Sequence, residues 1–132
     1  MLSTELAEAV KSTRYPLDAF VFVQRGLDFT VRRAHGDLPD DYDPDDEDQP
    51  SRHVTGRMLC EGLRDFALEQ YGLLAATVLR RWRVTGCEDF GQIVFAMVES
   101  GMMHKTDDDS LDDFRGVFSF REAFGQTPLA LG

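Results

Sequence analysis

The stretch TGCEDFGQIVFAMVESG, residues 85–101, decides the fold. Thr85 and Glu88 have the spacing of a capping box, in which a hydroxyl and a carboxylate each bond a backbone N–H at the start of a helix. Apolar residues then recur at steps of three and four, and Gly101 supplies a stop: Phe90, Ile93, Val94, Met97 and Val98. The pattern predicts an amphipathic helix with one buried face.

Two further helices are predicted just before this stretch. Thr55 can cap a helix that runs to Tyr71 and ends at Gly72. A second helix is predicted over residues 73–83, where Ala75, Leu79 and Trp82 share a stripe. We expect Leu63 and Leu79 of these helices to be buried against Phe90, Val94 and Met97.

The first 36 residues predict two helices that pack on this core. Ser3 can cap a short helix through Thr13. A longer helix is predicted from Pro16 to Gly36, with apolar residues three and four apart at Phe20, Val23, Leu27, Val31 and Ala34. Residues 19–23 are also rich in strand formers, so a short strand is the alternative there.

After Gly101 the sequence predicts a β-hairpin. Residues 114–120, FRGVFSF, place Phe114, Phe118 and Phe120 on alternate positions, which suits a strand. A winged helix has this order of elements: helix, turn, helix, tight turn, amphipathic helix and hairpin. Residues 55–120 resemble such a domain, and residues 94–105, VFAMVESGMMHK, look like the passage from recognition helix into wing. We therefore expect a mostly α fold: one domain, with a winged-helix-like core of three helices and a hairpin.

Charge is distributed unevenly along the 132 residues, which carry a formal net charge of −10. Residues 37–50 hold eight acidic side chains, and without them 16 acidic residues face 14 basic ones. A second acidic cluster (Asp107, Asp108, Asp109, Asp112 and Asp113) leaves the remainder mildly basic. Because residues 37–52 hold little apolar surface, we expect a flexible acidic loop there. A frayed tail is expected over residues 125–132.

Three segments carry a second resemblance: YPLDAFVFVQRGLDFTVRR (15–33), HVTGRMLCEGLRDFALEQYG (53–72) and EDFGQIVFAMVESGMMHKTDDDSLDDF (88–114). They are similar to a family of uncharacterised proteins restricted to planctomycetes and verrucomicrobia. The resemblance spans residues 15–124, with the acidic loop as its variable insert. It implies a bacterial cytosolic protein and implies no activity.

A metal or cofactor is not expected. The side chains that could bind zinc lack the close pairs typical of zinc sites: His35, His53, Cys60, Cys87 and His104. The acidic loop lacks the central glycine of a calcium-binding loop and carries Pro44 instead. Solvated charge and buried thiols are the interpretation we favour.

The sequence favours a non-catalytic protein. It contains no GxSxG motif, no phosphate-binding loop and no dinucleotide fingerprint. The Cys60 thiol lies near a predicted helix start, where a thiol pKa can fall, but its position beside Leu63 on the helix favours a small core residue. We expect no enzyme activity.

Two binding functions remain, and both use the basic cluster Arg80, Arg81 and Arg83. The first is an adaptor or regulatory module that contacts another protein. The alternative is a winged-helix transcriptional regulator that binds DNA through these arginines. The predicted recognition helix offers Glu88, Asp89 and Glu99 to a polyanion, so the sequence favours the protein partner. The acidic loop either covers the arginines or only keeps the protein soluble.

Location and oligomeric state complete the sequence-based expectations. The N-terminus lacks the charged and apolar regions of a signal peptide. The apolar runs are shorter than the roughly 20 residues of a membrane span. We therefore expect a cytoplasmic protein with no membrane contact, and the sequence does not indicate an oligomeric state.

Overall fold

The computed structural model describes residues 4–43, 45, 52–103 and 110–125. Helices dominate this part of the chain, which confirms the mostly α class. The α-helices are α1 Thr4–Lys11, α2 Leu17–His35, α3 Gly56–Tyr71, α4 Ala75–Arg81, α5 Cys87–Glu99 and α6 Phe120–Phe124. Short 3₁₀ helices cover Gly72–Leu74 and Leu111–Phe114. Residues 19–23 lie inside α2, so the helix was correct there and the strand was not.

The longest helices, α2 and α3, pack closely because glycines lie where they cross. A Cβ at Gly62 of α3 would lie 1.9 Å from Thr30 Oγ1 of α2. A Cβ at Gly26 of α2 would lie 2.2 Å from a methyl carbon of Leu63. The Thr30 hydroxyl, which is buried, donates to the Gly26 carbonyl at 2.7 Å. Small residues on both faces therefore set how near the two backbones approach.

Helix α5 lies at the centre of the core, packed against α1, α2 and the 3₁₀ helix Leu111–Phe114. The five residues expected to be buried are all buried: Leu63, Leu79, Phe90, Val94 and Met97. Along α5 itself only Glu88, Gln92 and Glu99 are exposed. A helix that is apolar on nearly all sides is a core helix. The buried face of α5 is therefore wider than the predicted stripe.

The cap of α5 is one residue later than predicted. Gly86, with extended φ and ψ, occupies the N-cap position, and the helix begins at Cys87. Asp89, not Glu88, reaches back: its carboxylate accepts hydrogen bonds from the N–H groups of Thr85 at 2.8 Å and Gly86 at 3.2 Å. Glu88 instead accepts from the Gly116 N–H at 3.3 Å. The predicted Thr85–Glu88 capping box was therefore wrong, although the helix that it was expected to cap is present.

The predicted hairpin is not supported, because the described residues contain no β-strand. Phe114 ends a 3₁₀ helix and packs on Gly91, where a Cβ would lie 2.8 Å from its ring. Gly116 has φ +64°, which breaks the extended run. The Ser119 hydroxyl accepts from the Glu122 N–H at 3.3 Å and caps α6. The alternating phenylalanines thus lie in a turn and a short helix, with Phe114 buried and Phe118 and Phe120 half-buried. The described residues therefore do not support a winged-helix core with a hairpin.

The helix predicted over residues 73–83 is shorter than expected. Gly72 has φ +50° and turns the chain into the 3₁₀ helix, so α4 begins only at Ala75. Ala75 and Leu79 are buried as predicted. Leu73 and Leu74 lie in the 3₁₀ helix and are exposed.

Some predictions fall wholly or partly outside the described residues. In the acidic loop, residues 37–43 form no helix or strand, and the Tyr42 N–H bonds the Pro39 carbonyl at 3.1 Å in a turn. Residues 1–3, 44, 46–51, 104–109 and 126–132 lie outside the described chain, and with them the predicted Ser3 cap, His104, the triple aspartate and most of the expected tail.

Candidate protein-binding surface

The three arginines singled out in the sequence lie together at the end of α4. Arg80 and Arg81 are its last two residues, Arg83 follows it, and all three are exposed. Arg83 has φ +66°, and its guanidinium donates to the Arg14 carbonyl at 3.3 Å. The chain thus turns sharply here and holds Arg83 against the segment between α1 and α2.

Exposed leucines mark the other end of α4. Leu73 is 80% exposed and Leu74 is 49% exposed, and Leu68, in the last turn of α3, is 39% exposed. Sequence reasoning missed them because it assigned residues 73 and 74 to a regular helix. The available signal was Gly72, after which two adjacent leucines precede the buried Ala75. We call Leu68, Leu73 and Leu74 the leucine corner.

A depression walled by aromatic rings includes Tyr71, two residues before Leu73 in the chain. Phe22 of α2 forms its buried floor, and Phe66, Tyr71 and Trp82 form half-buried walls. The ring centroid of Phe22 lies 5.4 Å from Phe66, 6.2 Å from Tyr71 and 5.6 Å from Trp82. Its volume is about 260 Å³. A single apolar side chain fits into a space of this size.

The rim of this depression carries opposite charges on one face of α2, two turns apart. Asp18 and Arg25 both line it and both are exposed. Arg81 adjoins Trp82 in the chain, and Arg80 and Arg83 lie within two residues of it. We call the leucine corner, the depression and the three arginines together the corner surface, because Tyr71 and Trp82 of the depression lie within two residues of Leu73 and of the arginines in the chain. Arg80 also lines a separate depression beside Phe120 and Arg121. The corner surface combines exposed apolar side chains, aromatic rings and a surplus of guanidinium groups.

A buried carboxylate, that of Asp89, lies in the first turn of α5. The Asp89 carboxylate accepts hydrogen bonds from the buried Tyr15 hydroxyl and from Arg14 Nη2, the latter at 2.8 Å. Burial and the Asp89 carboxylate raise the pKa of Tyr15 well above its usual value. With the two backbone donors at the α5 cap, the carboxylate joins the α1–α2 turn to the start of α5. Its hydrogen bonds are all internal, so its role here is structural.

The two thiols are neighbours in the core. Cys60 of α3 is fully buried, and Cys87 at the start of α5 is 2% exposed. The hydrogen bond between the thiols and burial raise the pKa of Cys60. The same hydrogen bond, aided by the backbone of Phe118 and Val117, lowers the pKa of Cys87 to about 7. Both thiols are free and lie within the core, as the sequence led us to expect.

Among the described residues, no three histidine, cysteine, aspartate or glutamate side chains come together as a metal site would require. His35 Nε2 lies 3.0 Å from the His53 carbonyl oxygen, so these two histidine residues meet through a ring and a backbone group. In the described helices, none combines the length and apolar character that crossing a bilayer demands.

Comparison with protein-family models, with curated proteins and with solved structures found no match for this chain. The resemblance to the planctomycete and verrucomicrobial family therefore stays a prediction.

Proposed function

We propose that this chain is a non-catalytic adaptor or regulatory module of the bacterial cytoplasm that binds another protein through its corner surface. The observation that carries the proposal is the leucine corner, where Leu73 exposes 80% of its surface two residues after Tyr71, which lines the aromatic depression. Exposed apolar side chains grouped together on a protein surface mark contact sites. Side chains of the aromatic and arginine types found here dominate binding energy at protein interfaces.

The chemistry of the corner surface fits an acidic, amphipathic segment of a partner. The aromatic depression would take one apolar side chain, and the exposed leucines would cover its neighbours. Arg80, Arg81 and Arg83 would attract carboxylates and favour rapid encounter. Such a segment buries its apolar face and leaves its charged rim in water, which is the usual arrangement of an interface.

A pair of charge-matched variants tests the proposal. Leu73→Glu places a carboxylate in the leucine corner, whereas Leu38→Glu makes the same change at a leucine that is 54% exposed elsewhere. We expect wild type and Leu38→Glu to capture the same protein from a native lysate, and Leu73→Glu to lose it. A lysate protein retained equally by all three would contradict the proposal.

DNA binding through the arginines is the second candidate, and the cluster of three exposed cations favours it. Two observations speak against the usual mode. Helix α5 exposes only Glu88, Gln92 and Glu99 in its length, and the described residues include no wing. A gel shift at about 50 mM salt, where phosphate contacts are strongest, separates the candidates. Tight binding that falls steeply with salt would support DNA binding and overturn the adaptor proposal.

A further inference from the structure

A second cavity lies apart from the corner surface, against the C-terminal half of α2. Its volume is about 200 Å³, and three helices and the 3₁₀ helix that ends at Phe114 surround it. Apolar side chains form most of its wall, among them Leu27 and Val31 of α2, Leu59 of α3, and Val94, Phe95 and Val98 of α5. Protein interiors normally leave few voids larger than a water molecule. A space of this size among apolar side chains therefore suits an apolar ligand.

The cavity size limits the ligand to a small molecule. An apolar cavity of roughly 150 Å³ holds one benzene molecule. The present cavity is somewhat larger, so it accommodates a single ring or a short branched chain with one additional small group. Most known ligand pockets are larger, at roughly 300 Å³ or above.

One side of the cavity carries groups that can bind an anion. Arg52 and His53 line it, and so do Thr55 and Gly56 at the N-terminus of α3. This 16-residue helix carries no acidic residue in its first turn, and the positive end of its dipole lies at the cavity. Arg52 Nη2 donates to the Gly36 carbonyl at 2.6 Å, which uses one of the five guanidinium N–H groups.

The carboxylate that lines the cavity is already engaged. Asp113 accepts a hydrogen bond from the Ser110 N–H at 3.0 Å and so holds the start of its own 3₁₀ helix. Arg52 and the N-terminus of α3 thus face a single carboxylate, which is already bonded within the chain. A ligand with an apolar body and one negative charge matches both halves of the cavity.

We propose that this cavity binds a small monocarboxylic acid, with its apolar body among Val31, Leu59 and Val98 and its carboxylate toward Arg52 and the α3 N-terminus. The site is independent of the proposed protein-binding function, since the corner depression lies against Asp18, Phe22 and Arg25 in the other half of α2. A bidentate contact with the Arg52 guanidinium would hold the carboxylate at the cavity mouth.

Three probes of matched shape test the ligand class in an NMR titration of the full chain. Phenylacetate carries both the ring and the charge, phenylacetamide keeps the ring without the charge, and acetate keeps the charge without the ring. We expect saturable methyl shifts at Val31, Leu59 and Val98 with phenylacetate, and binding at least about tenfold weaker with the other two. Equal binding of phenylacetamide, or no saturable binding of phenylacetate, would overturn the proposal.

Two filling variants and a matched control test the location. Val98→Phe should reduce phenylacetate affinity at least tenfold because the new ring occupies the cavity, and Val31→Phe repeats the test from α2. Val21→Phe makes the same change at the corner depression and should leave the affinity unchanged. Arg52→Gln should weaken binding about tenfold, and Arg52→Lys should restore part of it. Unchanged affinity in both filling variants, with their helical circular dichroism intact, would refute the site.

Discussion

At the scale of single residues, Asp89 connects parts of the chain that are far apart in sequence. Its carboxylate accepts from Tyr15 and Arg14 before α2 and from the backbone at the start of α5. The sequence suggested a cap near this point, but the register was wrong by one residue. Thr85 and Glu88 have the local spacing of a capping box. Asp89 forms the cap instead, because its carboxylate also accepts a hydrogen bond from Tyr15, which lies 74 residues away in the chain. Local spacing alone does not contain that information.

Asp89→Asn should destabilise the fold by about 3 kcal/mol, because an NH₂ group would replace one of two oxygens that each accept from at least two donors. Tyr15→Phe removes one donor only and should cost about 2 kcal/mol. Urea unfolding followed by circular dichroism measures both. An Asp89→Asn variant as stable as wild type would show that the carboxylate is not required at the α5 cap.

Arg83 adopts a left-handed conformation that suits glycine better. The structure gives φ +66° for it, and a non-glycine residue pays roughly 1–2 kcal/mol there. Glycine normally occupies this position after a helix. An arginine that remains in a strained position suggests that its side chain is needed for contact rather than for folding.

Arg83→Gly should therefore keep or raise stability, by about 0.5 kcal/mol after the added freedom of the unfolded chain is subtracted. Arg80→Gly, within α4, is the matched control and should cost about 1 kcal/mol. Thermal unfolding distinguishes them. If Arg83→Gly destabilised the protein as much as Arg80→Gly, the left-handed conformation of residue 83 would not cost measurable stability.

At the scale of the helices, the α2–α3 crossing depends on the absence of a side chain at Gly62. Alanine is the better helix former by roughly 1 kcal/mol, so an open position would gain from Gly62→Ala. Here the new methyl group would clash with Thr30, and we expect a loss of about 2 kcal/mol. Adding Thr30→Ala should recover part of the loss in denaturant unfolding. A more stable Gly62→Ala variant would contradict the close approach of the two helices.

An ion pair also joins these two helices. Arg33 Nη1 of α2 lies 2.7 Å from Asp65 Oδ2 of α3, and Arg64 Nε lies 2.9 Å from Oδ1. Arg64, with Arg33, lowers the pKa of Asp65 below its usual value of 3.8. The contribution to stability is therefore present above about pH 4 and is lost as pH falls through the lowered pKa.

Asp65→Asn should reduce stability near pH 6 by less than about 1 kcal/mol, since the pair is partly exposed. The difference from wild type should shrink as pH falls below 4, where the native carboxyl also becomes neutral. Thermal unfolding at pH 6 and pH 3 measures this. A stability difference between Asp65→Asn and wild type that is larger at pH 3 than at pH 6 would contradict this interpretation.

Helix boundaries were predictable where the chain carries its own start and stop signals. Thr55 and Gly72 delimit α3 as expected, and the periodicity of α2 outweighed its strand-forming residues. The strand predicted over residues 114–120 was wrong because the alternation of phenylalanines was given more weight than the helix cap. Ser119 and Glu122 have the spacing of such a cap. A strand also needs a partner strand, and alternation in one segment cannot supply it.

At the scale of the whole molecule, the cationic cluster and the acidic segment lie at opposite ends of α2. Arg83 contacts Arg14 just before α2, whereas the acidic segment begins just after Gly36. The helix has 19 residues and is about 28 Å long. Gly36 and Arg52, which flank the segment, are joined at the far end, where Arg52 Nη2 donates to the Gly36 carbonyl. This geometry favours a solubilising role over shielding of the arginines.

The surface that we assign to function was only half visible in the sequence. The arginines could be found from their spacing, because charge is a property of the residue type. The leucine corner and the aromatic depression could not, because exposure depends on where α4 begins and on how α2 packs beside Trp82. A run such as Leu73-Leu74 is read as core unless the turn at Gly72 is known.

The dissociation constant of the captured partner for three forms of the chain tests the central claim most directly. Isothermal titration would compare wild type, Leu73→Glu and Leu38→Glu, with folding checked by circular dichroism. We expect Leu73→Glu to weaken binding about thirtyfold or more, as at an interface hot spot, and Leu38→Glu to match wild type. Equal dissociation constants for Leu73→Glu and wild type would contradict a binding function of the corner surface.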